Sequence, residues 1–321
     1  MQDFSKVPDD IREAAKKLLE EGKVDLVIGF EAGTVPLRST PCFIRNKDDV
    51  KRLTWNAFCE NNLARYLRKR PEGKIGIVAK GCDVRALVEL IKEKQVPREK
   101  MVIIGVPCRG MIDRKRAERE VEGLQIREAV ETEDRIILKG DGFEKALNKD
   151  EFLHQSCKVC SHPNPAMYDI PIGEPVKEEA PKGSSEVAEF ESKPAAERWQ
   201  YLSDEISRCI RCYACRDACP FCYCEECFVD SSQPQWIGKS INASDTMIFH
   251  LVRAFHMAGR CVDCGACQRA CPMGIDIRKF LKKLDSDVKE LYGYEAGMSL
   301  EELAPLTTFK EDDPQGFMIE P

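Results

Sequence analysis

Apolar positions fall into two rhythms along this chain. From Lys23 to about Lys139, short β-branched runs alternate with stretches of helical spacing: VDLVIGF, then DDVKRLTWNAFCENNLARYLRKR, then KIGIVAK, then DVRALVELIKEK, then KMVIIGV. Strand-length runs separated by helices predict βαβ units and a mainly parallel sheet. Residues 171–197, PIGEPVKEEAPKGSSEVAEFESKPAAE, hold four prolines and seven glutamates with almost no apolar period, and read as a linker or a surface-hugging arm. Helical spacing then returns, most clearly in SDTMIFHLVRAFHMAGR. There Ser244 or Asp245 is placed to cap, and Ile248, Leu251, Val252 and Phe255 form an apolar stripe. The closing segment, EELAPLTTFKEDDPQGFMIEP, reads as an acidic tail that orders only against a partner.

Composition narrows the function classes. A length of 321 residues suits two domains, and a formal charge of −6 gives no overall basic footprint, which argues against a nucleic-acid partner. The opening MQDFSKVPDDIREAAKKLLEEGK lacks the basic-then-apolar layout of a secretory signal. No run approaches the ~18 to 20 apolar residues of a membrane span. The expectation is a soluble, cytoplasmic protein able to dock on a larger complex. Seventeen cysteines in such a chain point to metal ligation, because the cytosol keeps thiols reduced.

The cysteine spacing is specific. Cys209, Cys212, Cys215 and Cys219 precede Pro220 in the pattern Cys-x2-Cys-x2-Cys-x3-Cys-Pro, and Cys261, Cys264, Cys267 and Cys271 repeat it before Pro272. Three thiolates on one tight loop reach three corners of an iron–sulfur cube, while the fourth lies beyond the loop and, in two-cluster ferredoxins, ligates the other cube. The expected ligand sets are therefore crossed: Cys209, Cys212, Cys215 and Cys271 for one 4Fe-4S cluster, and Cys261, Cys264, Cys267 and Cys219 for a second. Structural zinc also takes four thiolates, but it usually pairs two Cys-x2-Cys knuckles and has no need of a third close cysteine and a Cys-Pro. Cys222, Cys224 and Cys227 stay unassigned, as a redundant ligand, part of another metal site, or reduced thiols packed beside a cluster. His250 and His256 are six apart, which is wrong for an i, i+4 metal pair, and read as surface residues or as supports for the ligands.

A third set lies in the α/β region. Cys82 follows the strand KIGIVAK through one glycine, and Cys108 follows KMVIIGV through one proline. If those strands are parallel neighbours, both thiols emerge at the carboxyl edge of the sheet, where α/β proteins place ligands. SCKVCSHP adds Cys157 and Cys160, and four thiolates from three loops suit a 4Fe-4S cube or a zinc ion equally on geometry. Cys42 and Cys59 stand apart from any knuckle and read as core or pocket thiols.

Two resemblances extend these readings. The 41 residues between the two motifs exceed what a compact ferredoxin needs, and GRCVDCGACQRACPMGI resembles the α-helical ferredoxins of heterodisulfide reductase C subunits and succinate dehydrogenase iron–sulfur subunits. KGCDVRALVELIKEKQV, IGVPCRG and CKVCSHPNPAMYDIPIG resemble the C-terminal domain of the beta subunits of deazaflavin-dependent hydrogenases and formate dehydrogenases. That resemblance implies a 4Fe-4S cluster on Cys82, Cys108, Cys157 and Cys160 beside FAD. The chain lacks the family's N-terminal Gly-Gly stretch, so the residues that fit a flavin are Gly33 and Thr34 in EAGTVPLR and Lys80, Gly81, Asp83 and Arg85 in KGCDVR.

The expected organisation is an α/β domain over 1–170 with one cluster, a linker over 171–197, a mainly α-helical two-cluster ferredoxin domain over 198–295, and a tail over 296–321. Three 4Fe-4S clusters on one chain make a relay of single electrons. GxGxxG is absent, which puts substrate chemistry on a partner chain. The function expected is an electron-transfer subunit of an anaerobic oxidoreductase, with partners of hydrogenase, formate dehydrogenase, heterodisulfide-reductase-like or methylenetetrahydrofolate-reductase type. Two alternatives stay open: a flavin-bearing subunit that itself exchanges two electrons with a diffusible carrier, and a cluster-based redox sensor or scaffold.

Overall fold

Strand β1 (Leu26–Ala32) is the pivot of the first half of the chain, because every residue from Leu26 to Phe30 is buried and three other strands pair with it. In the computed structural model, which describes residues 6–69, 72–178, 183–309 and 311, the chain divides into two units. One comprises Met1–Arg85 with Lys94–Pro181, the other Ala86–Glu93 with Lys182–Pro321.

The first unit opens with α1 (Val7–Glu20), which has proline in its first turn beside Asp9 and Asp10, residues suited to a helix N-terminus. Its Val7, Ile11, Ala15 and Leu18 recur at helical spacing and pack on Val27, Leu53, Val78 and Ile104 of the sheet. The sheet runs β2 (Ser39–Ile44), β1, β4 (Ile75–Ala79), β5 (Met101–Gly105), β9 (Ile170–Pro171), and β3 (Leu53–Thr54) also pairs β1.

This sheet is mixed, not mainly parallel as the sequence pattern suggested. β1, β4, β5 and β9 are parallel, but β2 and β3 pair antiparallel with β1. The connection from Ala32 to Ser39 is too short for a crossover, and Gly33 N–H closes it on Arg38 O at 2.8 Å, so β2 must return alongside β1. The long helix expected over DDVKRLTWNAFCENNLARYLRKR is likewise broken into a 3-10 turn at Lys47–Arg52, strand β3, and a second 3-10 turn at Leu63–Lys69. Side-chain oxygens take the amides a helix would need: Asn46 accepts from Asp48 N–H, Asn62 from Ala64 N–H, and Asp83 from Leu63 N–H at 3.1 Å.

Helix α2 (Gly81–Lys92) follows β4. After β5 come α3 (Arg114–Arg119) and a three-stranded antiparallel sheet of β6 (Ile126–Glu131), β7 (Arg135–Gly140) and β8 (Phe143–Asn148). Ile136, Leu138 and Leu147 of that sheet bury against Ile112, Phe152 and Leu153. Two single-turn helices, α4 (Lys149–Phe152) and α5 (Gln155–Lys158), lead into the Cys157–Cys160 knuckle.

In the second unit the elements from residue 183 onward are helical among the described residues. They are α6 (Gly183–Glu191), α7 (Ala195–Ser207), α8 (Ala214–Asp217), α9 (Ala243–His256), α10 (Ala266–Arg269) and α11 (Ile277–Tyr292). The stretch read as linker thus holds β9's end, buried Ile172 and helix α6, whose Val187 is buried. The expected tail lies partly outside the described residues, which stop short of 312–321.

Helix α9 forms where its sequence rhythm predicts, but the expected stripe faces mostly outward: Ile248, Leu251 and Phe255 are exposed and Val252 is half-buried. The buried face carries Phe249, His250, Arg253 and Ala254 instead. Periodicity identified the helix correctly and its inner face wrongly, because the covered side carries polar groups to the cysteines, His250 to Cys209 and Arg253 to Cys215, beside Phe249.

Candidate metal centres

The two ferredoxin-type motifs repeat in backbone as well as in sequence. Arg211 and Tyr213 of the first, and Asp263 and Gly265 of the second, occupy the same motif positions and all have positive φ, between 50° and 69°. Glycine adopts this left-handed conformation freely, whereas Arg211, Tyr213 and Asp263 are held there by their surroundings. The turn aims backbone N–H groups at sulfur: Arg211 N–H lies 3.4 Å from Cys209 Sγ, and Asp263 N–H makes the matching bond to Cys261. Helices α8 and α10 then begin at the residue after each left-handed cap.

Cys219 leaves its own motif's loop. It lines one small cavity with Cys261, Cys264 and Cys267, which Met257, Val262 and Leu281 close with apolar surface. In the other set, Cys209 lies within electrostatic reach of Cys212 and Cys271, and Cys215 within reach of Cys209 and Cys271. Among the described residues no three metal-ligating side chains converge closely enough to chelate a single ion. Burial pushes the thiols of Cys215 and Cys264 up to about 12 and that of Cys261 well above its ordinary value. These sulfurs therefore keep their protons until a metal replaces them.

Cys219 is the exception. The Cys222 thiol donates to it, and that bond, with Arg253 nearby, brings Cys219 down to about 6 while pushing Cys222 far up. Cys222 is thus a supporting thiol against Cys219. Cys227 bonds to Arg216, which also holds Asp230 at 2.7 Å, and Cys224 is exposed.

Helix α9 supplies two groups to the sulfurs: His250, which takes the supporting role read for it as one alternative, and Arg253, which the sequence reading did not single out. His250 Nε2 lies 3.3 Å from Cys209 Sγ, and burial, with Arg253 and Arg211 beside it, lowers its pKa to about 4, so the imidazole is neutral. Arg253 is 3% exposed, donates to Cys215 O at 3.1 Å and lies beside the sulfurs of Cys267 and Cys222. Its Nε is buried with no partner among the described residues. The available signal was an arginine one turn after a histidine on a helix otherwise free of charge from Thr246 to Phe255. His256, by contrast, is exposed against the Phe228 ring.

The third set sits at the carboxyl edge of parallel neighbours β4 and β5. Three loops are stitched together there: a Cβ on Gly81 would stand 2.1 Å from His162 O, Cys108 N–H donates to Pro163 O at 2.9 Å, and Asn62 Nδ2 donates to Cys82 O at 3.2 Å. Burial, then the neighbouring Cys157, pushes Cys108 up to about 12. Lys80 is fully buried; although burial opposes its charge, Asp83, Cys82 and Cys108 around it raise its pKa. Its ammonium donates to Asn61 O at 2.6 Å and Asp83 Oδ2 at 2.9 Å.

Of the residues that fit a flavin, Lys80 and Asp83 therefore bond to each other, Gly81 packs on His162, and Arg85 is buried. Gly33 and Thr34 lie in the β1–β2 connection, with Thr34 exposed. Cys42 and Cys59 are buried thiols, each raised to about 12 by burial, with Cys59 bonded to Asn56.

Residues 72–202 match the family described as the C terminus of the coenzyme F420 hydrogenase/dehydrogenase beta subunit, and residues 205–275 match the 4Fe-4S dicluster domain. The F420-dependent formate dehydrogenase subunit beta of Methanocaldococcus jannaschii is 26% identical over 88% of this chain and 90% of that protein. The F420-dependent formate dehydrogenase 1 subunit beta of Methanococcus maripaludis is 26% identical over 88% and 89%. The chain is homologous to F420-dependent formate dehydrogenase beta subunits. A chain of the F420-reducing NiFe hydrogenase complex from Methanosarcina barkeri is 16% identical, with a TM-score of 0.38 over 50% of this chain and 64% of that one.

The beta-subunit match encloses Cys82, Cys108, Cys157 and Cys160, and the dicluster match encloses all eight cysteines of the repeated motifs. No helix among the described residues is long and apolar enough to cross a membrane.

Proposed function

We propose that this beta-subunit homologue is a three-cluster electron relay within a formate dehydrogenase or hydrogenase type of complex, with its substrate chemistry on a partner chain. The observation that carries this reading is the convergence of Cys219 from the first motif with Cys261, Cys264 and Cys267 from the second around one cavity. The donor set fits a 4Fe-4S cluster: four thiols, an apolar wall, and a guanidinium whose Nε has no protein partner and so suits an anionic neighbour.

Cys209, Cys212, Cys215 and Cys271 would hold the first cluster, and Cys261, Cys264, Cys267 and Cys219 the second. Cys82, Cys108, Cys157 and Cys160 would hold the third. When bound, the clusters supply one-electron acceptance and donation at potentials set by ligation, hydrogen bonds to sulfur and burial. The chain's part is to hold the sulfurs in left-handed turns, aim N–H groups at them, exclude water with Met257 and Leu281, and place fixed charge nearby. The electron partners follow the names of the relatives: a formate- or hydrogen-handling subunit on one side, and on the other a flavin that would convert the clusters' single electrons into the pair a deazaflavin carrier exchanges.

Anaerobic purification with iron, sulfide and flavin quantification, followed by EPR on stepwise reduction, tests this directly. About twelve irons and twelve sulfides per chain are expected. About eight would remove the third cluster, and zinc without acid-labile sulfide would overturn the reading. Stoichiometric flavin would convert the subunit from a pure relay into one that splits electron pairs itself.

A further inference from the structure

Arg253 of α9 touches both repeated motifs. Its guanidinium donates to Cys215 O of the first motif at 3.1 Å and lies beside the sulfurs of Cys267 in the second and of Cys222, the thiol next to Cys219. It is 3% exposed, and its Nε has no hydrogen-bond partner among the described residues. Among the described residues no carboxylate is seen to hydrogen-bond to it; the side chains around it include Cys267, Cys219, Cys222 and Cys215.

A buried, unpaired arginine is costly unless an anion compensates it. A cluster held by four thiolates supplies such an anion. The cation holds the backbone of Cys215 in the first ligand set and stands beside Cys267 and Cys219 of the second, so it would act on two clusters at once.

We infer that Arg253 is a shared positioning residue that sets the reduction potentials of both dicluster-domain clusters. This rests on the cluster reading given above. Each electron accepted adds one negative charge to a site in a low-dielectric setting, and a fixed guanidinium beside it makes that addition easier. Because the same cation stands against both sites, it raises both potentials together.

The test is an EPR-monitored redox titration of the full-length chain carrying its clusters, comparing the native protein with Arg253→Gln and Arg253→Lys. Arg253→Gln is expected to lower both midpoint potentials by an amount equal to about a tenfold fall in each reduction equilibrium, about 59 mV for one electron. Arg253→Lys, which retains the charge, is expected to stay near the native values. Unchanged potentials in Arg253→Gln at full iron and sulfide content would overturn the inference, as would a shift at one cluster alone or equal shifts in both variants. If Arg253→Gln fails to retain its clusters, Arg253→Lys decides: retention with native potentials supports a requirement for charge, and loss in both variants assigns Arg253 a packing role only. Absence of acid-labile sulfide in the native chain would instead sink the cluster reading itself.

Discussion

His250 Nε2 stands 3.3 Å from Cys209 Sγ, on the same buried face of α9 that brings Arg253 to Cys215. One helix therefore carries both a neutral hydrogen-bonding group and a permanent cation to the first motif. The imidazole's pKa is lowered from 6.5 to about 4, chiefly by burial.

A depressed value means that the unfolded chain binds this proton more readily than the folded one between pH 6.5 and 4. The stability contribution is complete above 6.5 and is lost as pH falls toward 4, by about 3 kcal/mol in all. The thermal midpoint of the cluster-free chain should fall across that window. In His250→Gln the same decline should be distinctly shallower; an identical pH profile in the two proteins would rule out this origin.

Cys219→Ser should damage the site lined by Cys261, Cys264 and Cys267, not the one beside its own motif. EPR on the reduced variant is expected to lose or alter the signal of the second cluster while the first persists. Selective loss of the first would contradict the crossed ligand sets.

Gly81 has no space for a side chain, since a Cβ would meet His162 O at 2.1 Å and Asn164 O at 3.0 Å. Both obstacles are backbone, so neither can swing away. Gly81→Ala should cost about 1–3 kcal/mol and push the Cys157–Cys160 segment off Cys82. Iron content should drop by about four atoms per chain if those thiols hold a cluster.

Arg278, 4% exposed on α11, grips Asp263 with two hydrogen bonds of 2.6 and 2.9 Å and reaches Glu186 at 3.0 Å. Asp263 sits with positive φ between Cys261 and Cys264, so the pair braces the second motif's turn. Arg278→Met leaves Asp263 with Lys282 at 3.1 Å, which places the loss near the low end for a buried pair, about 3 kcal/mol. The double variant Arg278→Met with Asp263→Asn should recover part of it in thermal unfolding.

Sequence alone determined the elements whose signal is local. β4, β5 and α9 follow from their apolar rhythm, and the repeated Cys-x2-Cys-x2-Cys-x3-Cys-Pro makes the same left-handed turns twice because a loop that short has few conformations available. Tertiary structure decided what depends on distant partners. It bent the chain at Gly33 so that β2 returned antiparallel, spent the amides of Leu63 and Ala64 on Asp83 and Asn62 so that no long helix formed, and turned α9 inside out relative to its apolar stripe. That last choice has a definite cause: sulfur-rich sites call for hydrogen-bond donors and positive charge, and a pattern read from hydrophobicity looks for the opposite face.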